Sequence, residues 1–143
     1  IRDSLTGTNM EELIEAAGGL KTGAAKVISG GPMMGFAMFD LHVPCVKTTS
    51  AFLCLEKDAV SEAQKQMTAC INCGRCVRVC PGRVLPARLA TLAERGDMAG
   101  FEKLNGMECC ECGCCSYVCP AKRPLTQSIK SMRKMVLASR RKK

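Results

Sequence analysis

Eight of the chain's twelve cysteines fall into two runs of identical spacing. The first is Cys70-Ile71-Asn72-Cys73-Gly74-Arg75-Cys76-Val77-Arg78-Val79-Cys80-Pro81. The second is Cys109-Cys110-Glu111-Cys112-Gly113-Cys114-Cys115-Ser116-Tyr117-Val118-Cys119-Pro120. Both satisfy C-x2-C-x2-C-x3-C-P, the spacing by which thiolates hold a [4Fe-4S] cubane. Three thiolates at i, i+3 and i+6 can curl around one cubane and hold three of its irons, leaving the fourth iron to a cysteine from elsewhere. Gly74 and Gly113 follow the second cysteine of each run, where the loop must wrap closely. Pro81 and Pro120 turn the chain away after the last cysteine.

In two-cluster proteins of this kind the last cysteine of each run ligates the other cluster. That rule predicts one cluster on Cys70, Cys73, Cys76 and Cys119, and the other on Cys109, Cys112, Cys115 and Cys80. A structural zinc site also uses four cysteines, but it usually pairs two separated CxxC units. A disulfide scaffold is arithmetically open, yet it has no reason to repeat a ligand spacing twice. Cys45, Cys54, Cys110 and Cys114 fit neither run and read as small buried hydrophobes. No residue stands out for acid-base or nucleophilic chemistry, so the chain is not expected to be catalytic alone.

These runs must be positioned by short elements. Helical patterns enter the first run from Asp58 or Ser61 through Met67. Between the runs, Pro86 to Arg95 reads as a helix stopped by Gly96, and Asp97 caps a second that runs to Leu104 before Gly106. This connection makes the cluster unit a helical one instead of a compact two-fold ferredoxin sandwich. After Pro124 one helix places Leu125, Ile129, Met132, Met135 and Val136 on one side, with Lys130, Arg133, Lys134 and Arg140 on the other.

Upstream, the chain reads as a small α+β unit. Thr8 to Glu11 fits a capping box for a helix with Met10, Leu13, Ile14 and Ala17 on one face and Gly18-Gly19 as its stop. Lys26 to Ile28, Pro44 to Val46 and Ala51 to Leu55 read as strands, with an irregular loop from Ser29 to Gly35. That glycine loop lacks the Lys-Ser/Thr pair of a phosphate loop. Met33, Met34 and Met38 are expected to pack. His42, the only histidine, has no evident partner carboxylate and reads as structural or surface.

The chain has 143 residues, 47% hydrophobic but only 3% aromatic, with no Trp. Its formal charge of +8 is unevenly spread. Residues 1–111 hold 12 Lys+Arg against 13 Asp+Glu, whereas residues 112–143 hold 9 Lys+Arg and no acid. The basic end could dock on an anionic membrane surface or an acidic protein. Nucleic-acid binding is disfavoured by the lack of stacking aromatics and of any binding module. No run of 18 apolar residues exists, so no membrane-spanning helix is expected. Ile1 reads as the interior of a longer protein.

The two cysteine runs, together with Val27-Ile-Ser-Gly-Gly-Pro-Met-Met-Gly35, Met10-Glu-Glu-Leu-Ile-Glu-Ala-Ala-Gly-Gly19, Val46-Lys-Thr-Thr-Ser50 and Pro120-Ala-Lys-Arg-Pro-Leu125, resemble the C subunit of the Rnf electron-transport complex. The resemblance covers nearly the whole chain. It departs from the usual pattern at Gly82-Arg83, Cys110 and Arg123, none of which removes a ligand. It implies an α+β fold: a partial β-grasp (SLBB-like) unit over 1–56, a mostly helical two-[4Fe-4S] ferredoxin-like domain over 57–127 and a basic carboxy-terminal helix over 128–143. It further implies an iron–sulfur electron-transfer module of a membrane-associated ferredoxin:NAD oxidoreductase coupled to ion translocation. FMN and NAD would then bind only through an amino-terminal domain missing here. The implied partners are other subunits of the complex and a redox protein such as ferredoxin, on the cytoplasmic face of the bacterial inner membrane. Two rivals remain: an iron–sulfur subunit of another flavin-linked reductase, such as a cobalamin reductase, and a docking adaptor whose clusters merely hold the fold.

Overall fold

A computed structural model describes residues 6–21 and 23–141. Residues 1–5 and the last two residues, Lys142 and Lys143, lie outside the described residues, as does Thr22. The chain forms two compact units, residues 1–59 and 60–143. Together they make an α+β protein with one small antiparallel sheet and several helices.

Unit 1 opens with α1 (Met10–Ala16). Its cap is Asn9 and not Thr8: the Asn9 Oδ1 accepts the Glu11 N–H at 3.3 Å, a shorter reach than a four-residue capping box. Met10 and Ile14, one turn apart, carry its buried face. The helix ends as expected, with Gly18 and Gly19 at φ +111° and +77°. The sheet has the order β2–β1–β3, with β1 (Lys26–Ser29) central, β2 (Phe36–Met38) and β3 (Phe52–Leu55) outside it. Val27 pairs with Met38 on one side and Cys54 on the other.

The tight loop from Ser29 joins β1 to β2, a strand the sequence pattern missed. Gly35 must be glycine, since a Cβ there would press into the backbone oxygens of Gly31 and Ser29. Pro44 to Val46 forms no strand and contributes only a bridge from Pro44 to Asn9, consistent with proline's missing donor. Met33 and Met34 are about half exposed instead of packed, because the loop carries them off the sheet. His42 does have a partner: from the turn that follows β2, its Nδ1 lies 2.9 Å from Oε2 of Glu11 in the first turn of α1.

Unit 2 contains no strand among its described residues. The boundary helix α2 (Ala59–Lys65) is followed by α3 (Arg75–Arg78), α4 (Pro86–Glu94), α5 (Met98–Lys103), a 3-10 turn (Gly106–Glu108), α6 (Cys114–Tyr117) and α7 (Leu125–Arg141). Pro86 sits at the first position of α4, where its missing N–H costs nothing. Asp97 caps α5, its Oδ1 accepting the Gly100 N–H at 2.8 Å.

The core is built where α4 packs on α7. Leu89 and Phe101 meet Val84, Ile129, Met132 and Val136, with Cys80, Met107 and Cys109 against the edge of that group. Burying side chains of this size stabilises the unit by about 1.5–3 kcal/mol each. The basic helix is therefore part of the unit from Leu125 onward: Leu125, Ile129, Met132 and Val136 are buried, while Met135 is half exposed. Phe101 also fills the space that a side chain at Gly106 would need.

Candidate iron–sulfur site

The two cysteine runs have the same backbone. Each begins in an extended loop with a left-handed residue two positions after its first cysteine, Asn72 at φ 55° and Glu111 at φ 57°. Each then reaches a left-handed glycine, Gly74 at 72° and Gly113 at 84°, that starts the one-turn helix, α3 or α6. Each leaves through a left-handed basic residue, Arg83 at 49° and Lys122 at 51°. The hydrogen bonds repeat as well: Cys80 N–H to Val77 O and Cys119 N–H to Ser116 O, both at 3.2 Å. Left-handed φ at Gly is free of the Cβ penalty that Asn72 and Glu111 must bear, so the loop shape is built in, not incidental.

The runs cross. Ahead of the first run, the Thr68 N–H donates to Ala121 O, just past the end of the second, at 3.1 Å. Ahead of the second run, the Glu108 carbonyl lies so close to Gly82, just past the end of the first, that a Cβ there would stand 3.1 Å from it. Each run's exit thus lies on the other's entrance. As a result, Cys80 shares one cavity with Cys109, Cys112 and Cys115, and Cys110, Glu111, Val84, Pro86, Gly113, Thr126 and Ile129 complete its lining. Cys119 and Cys76, from different runs, both pack on Ala90, Cys115 and Leu125. Cys70 and Cys73 are exposed at the outer end of the first run.

The second run is the more embedded. Glu111 N–H donates to Cys109 Sγ at 3.4 Å, and Cys115 Sγ lies 3.3 Å from Thr126 Oγ1. Burial pushes both the Cys109 and Cys115 thiols up; for Cys109 the Glu111 N–H and the charge of Arg133 work against that, for Cys115 the Thr126 hydroxyl does. Metal binding at such thiols must expel their protons, so it is coupled to pH and to folding. Among the described residues no three Cys, His, Asp or Glu side chains converge as ligands of a single metal ion. Five cysteines line the cavity, and the four of them at ligand spacing, Cys80, Cys109, Cys112 and Cys115, suit a polynuclear cluster with an iron for each sulfur, so the donor set fits the group the spacing predicts.

Basic side chains frame the site. Arg123 pairs with Glu94 at 2.7 and 2.9 Å, and Lys122 donates to the Gln66 side chain. Arg133 pairs with Glu111, to which Lys130 also lies 3.7 Å away. Arg133 and Lys130 are thus not on a purely solvated face; the hydrophobic period alone could not show that Glu111 faces α7. Of the unassigned cysteines only Cys45 is buried: Cys54 and Cys110 are exposed and Cys114 is half-buried. Cys110, on the loop of the second run, and Cys114, at the start of α6, flank ligand-spaced residues and have no core to enter.

Left-handed glycines, crossed entrances and exits and a thiol-lined cavity define an iron–sulfur protein with paired cluster runs, and the 4Fe-4S dicluster domain family matches residues 69–122. Over longer stretches the chain is 43% identical to the C subunit of the Na(+)-translocating ferredoxin:NAD(+) oxidoreductase complex of Acetobacterium woodii, across 95% of this chain and 30% of that protein. It is 40% identical to the C subunit of the proton-translocating ferredoxin:NAD(+) oxidoreductase complex of Clostridium ljungdahlii, across 89% of this chain and 28% of that protein. It is 41% identical to the C subunit of the ion-translocating oxidoreductase complex of Methanosarcina acetivorans, across 87% and 27%. The chain is a homologue of these C subunits, matched to their carboxy-terminal portion, and it spans less than a third of their length.

Proposed function

We propose that this chain is the electron-transfer portion of the C subunit of an ion-translocating ferredoxin:NAD oxidoreductase complex, and that it holds two [4Fe-4S] clusters. Cys109, Cys112, Cys115 and Cys80 hold one, and Cys70, Cys73, Cys76 and Cys119 the other. The observation that carries this reading is the cavity where Cys80 meets the three ligand-spaced cysteines of the opposite run, Cys109, Cys112 and Cys115, with Cys110 beside them. When bound, the clusters supply one-electron transfer at low potential. The chain's own residues hold them, exclude water and set their potentials through burial, N–H donors to sulfur and nearby charge.

Unit 1, with α1 leading into a three-stranded sheet, is read as part of a β-grasp (SLBB-like) domain, followed by the cluster domain that ends in α7. Relatives named for ferredoxin and NAD suggest those redox partners, with the other subunits of the complex as neighbours. No helix among the described residues is long and apolar enough to cross a membrane, so attachment at the cytoplasmic face would be peripheral. The test is an iron and acid-labile sulfide assay on anaerobically prepared protein, beside its EPR spectrum after reduction. About eight iron and eight sulfide per chain, with two interacting cubane signals, are expected. Zinc in their place, or iron far below that with no signal, sinks the proposal.

A further inference from the structure

Arg133 is the cation that α7 sends under the second cysteine run toward its first ligand. Its guanidinium pairs with the Glu111 carboxylate and donates through Nη2 to Met107 O at 3.2 Å. Met107 and Glu111 stand two residues to either side of Cys109, and the Glu111 N–H itself donates to Cys109 Sγ. The charge is thereby bracketed around one thiol. The remaining nitrogen, Nε, is buried and its N–H has no protein acceptor. A buried cationic N–H left without an acceptor is costly, and native structures rarely tolerate one without a use.

The first run lacks this arrangement. Asn72 stands where Glu111 stands in the second run, with the same left-handed backbone, but its side chain takes only a long 3.7 Å contact from the exposed Cys70 thiol. Identical loops therefore present unequal fields to their cysteines. Reduction of a cluster by one electron from an external low-potential donor, dithionite in the test below, adds one negative charge and makes or breaks no bond. A fixed positive charge and an N–H aimed at the ligand sulfurs favour that added charge.

We propose that Arg133 is a positioning and tuning residue that raises the reduction potential of the cluster on Cys80, Cys109, Cys112 and Cys115, with Glu111 holding the guanidinium in place and offsetting part of its charge. This rests on the two-cluster reading. Lys130, which also faces Glu111, adds to the same field from one turn away.

An EPR-monitored redox titration of the full-length, cluster-loaded protein tests it. Arg133→Gln should shift the reduction equilibrium of one cluster about tenfold toward the oxidised form, equivalent to 59 mV, and leave the other in place. Glu111→Gln should shift the same cluster in the opposite direction by less. Arg133→Lys, which keeps the charge without the two-point bracket, should fall between wild type and Arg133→Gln. Midpoints that do not move, or that move equally for both clusters, overturn the proposal. If Arg133→Gln loses iron, Glu111→Gln decides alone, and unchanged midpoints in that variant overturn it. Wild-type protein without cluster signals would overturn the two-cluster reading and this one together, whereas normal wild-type signals with unmoved midpoints would sink only this one.

Discussion

The two cysteine runs share a backbone and differ in almost everything around it. Both use left-handed residues at equivalent places, one-turn helices of equal length and the same exit. The second run, however, lies beneath α7, with Cys115 buried, Thr126 against its sulfur and Arg133 beside Cys109. The first run is largely open, with Cys70 and Cys73 exposed and Ile71 64% exposed beside them. A repeated loop fixes how thiols are spaced; what packs on the loop decides how each bound group behaves.

The largest effect expected from breaking this comparison comes from the exchanged cysteines. Under crossed ligation, Cys80→Ala should abolish or convert the same EPR signal as Cys112→Ala, and Cys119→Ala the same signal as Cys73→Ala. Each should lower iron toward half of the roughly eight per chain expected for two cubanes. If Cys80→Ala instead matches Cys73→Ala, each run closes on itself and the crossing is wrong.

A smaller effect separates the supports of the two runs. Phe101 is fully buried and packs where Gly106 has no side chain, directly before the 3-10 turn that leads to Cys109. Phe101→Ala should cost about 3–5 kcal/mol by leaving a cavity there. Denaturant titration of the cluster-loaded protein should show a lower midpoint, with the second run's EPR signal lost before the first's. Simultaneous loss of both signals at every denaturant concentration would mean that the two runs are not supported separately.

Much of this asymmetry was invisible in the sequence, and the reasons are specific. Ligand spacing is a local property, so the runs could be read directly, as could the helix from Pro86 and the Asp97 cap, whose signals lie within four residues of what they stabilise. Strand β2 was missed because Phe36 to Met38 is only three residues long and follows a glycine loop, too short for a period of two to register. The pairing of Glu111 with Arg133, of Glu94 with Arg123 and of Glu11 with His42 joins residues 22, 29 and 31 positions apart, which no spacing rule reaches. Residue type alone places Cys110 and Cys114 in a core, but Cys110 lies exposed at the mouth of the cavity and Cys114 opens the short helix α6, half-buried, where the run has little core to offer.

The smallest effect is the most direct reading of the difference, because it compares two equivalent positions on identical loops. Val77 and Ser116 both follow the third cysteine of their runs. Val77 is 39% exposed, while Ser116 Oγ donates to Thr126 Oγ1 and accepts the Thr126 N–H, each at 2.9 Å. That N–H belongs to the first turn of α7, where the helix has no carbonyl of its own to offer, so Ser116 acts as an N-cap supplied from outside the helix. Ser116→Ala should therefore cost about 1 kcal/mol, the usual loss for a helix cap. It should also free the Thr126 hydroxyl beside Cys115. Val77→Ala should stay within about 0.5 kcal/mol, as surface changes do. Denaturant midpoints of the paired variants measure the gap. Equal costs at the two positions would mean that α7 does not hold the second run as this hydrogen-bond geometry requires, and the contrast between an open run and an anchored one would fall with it.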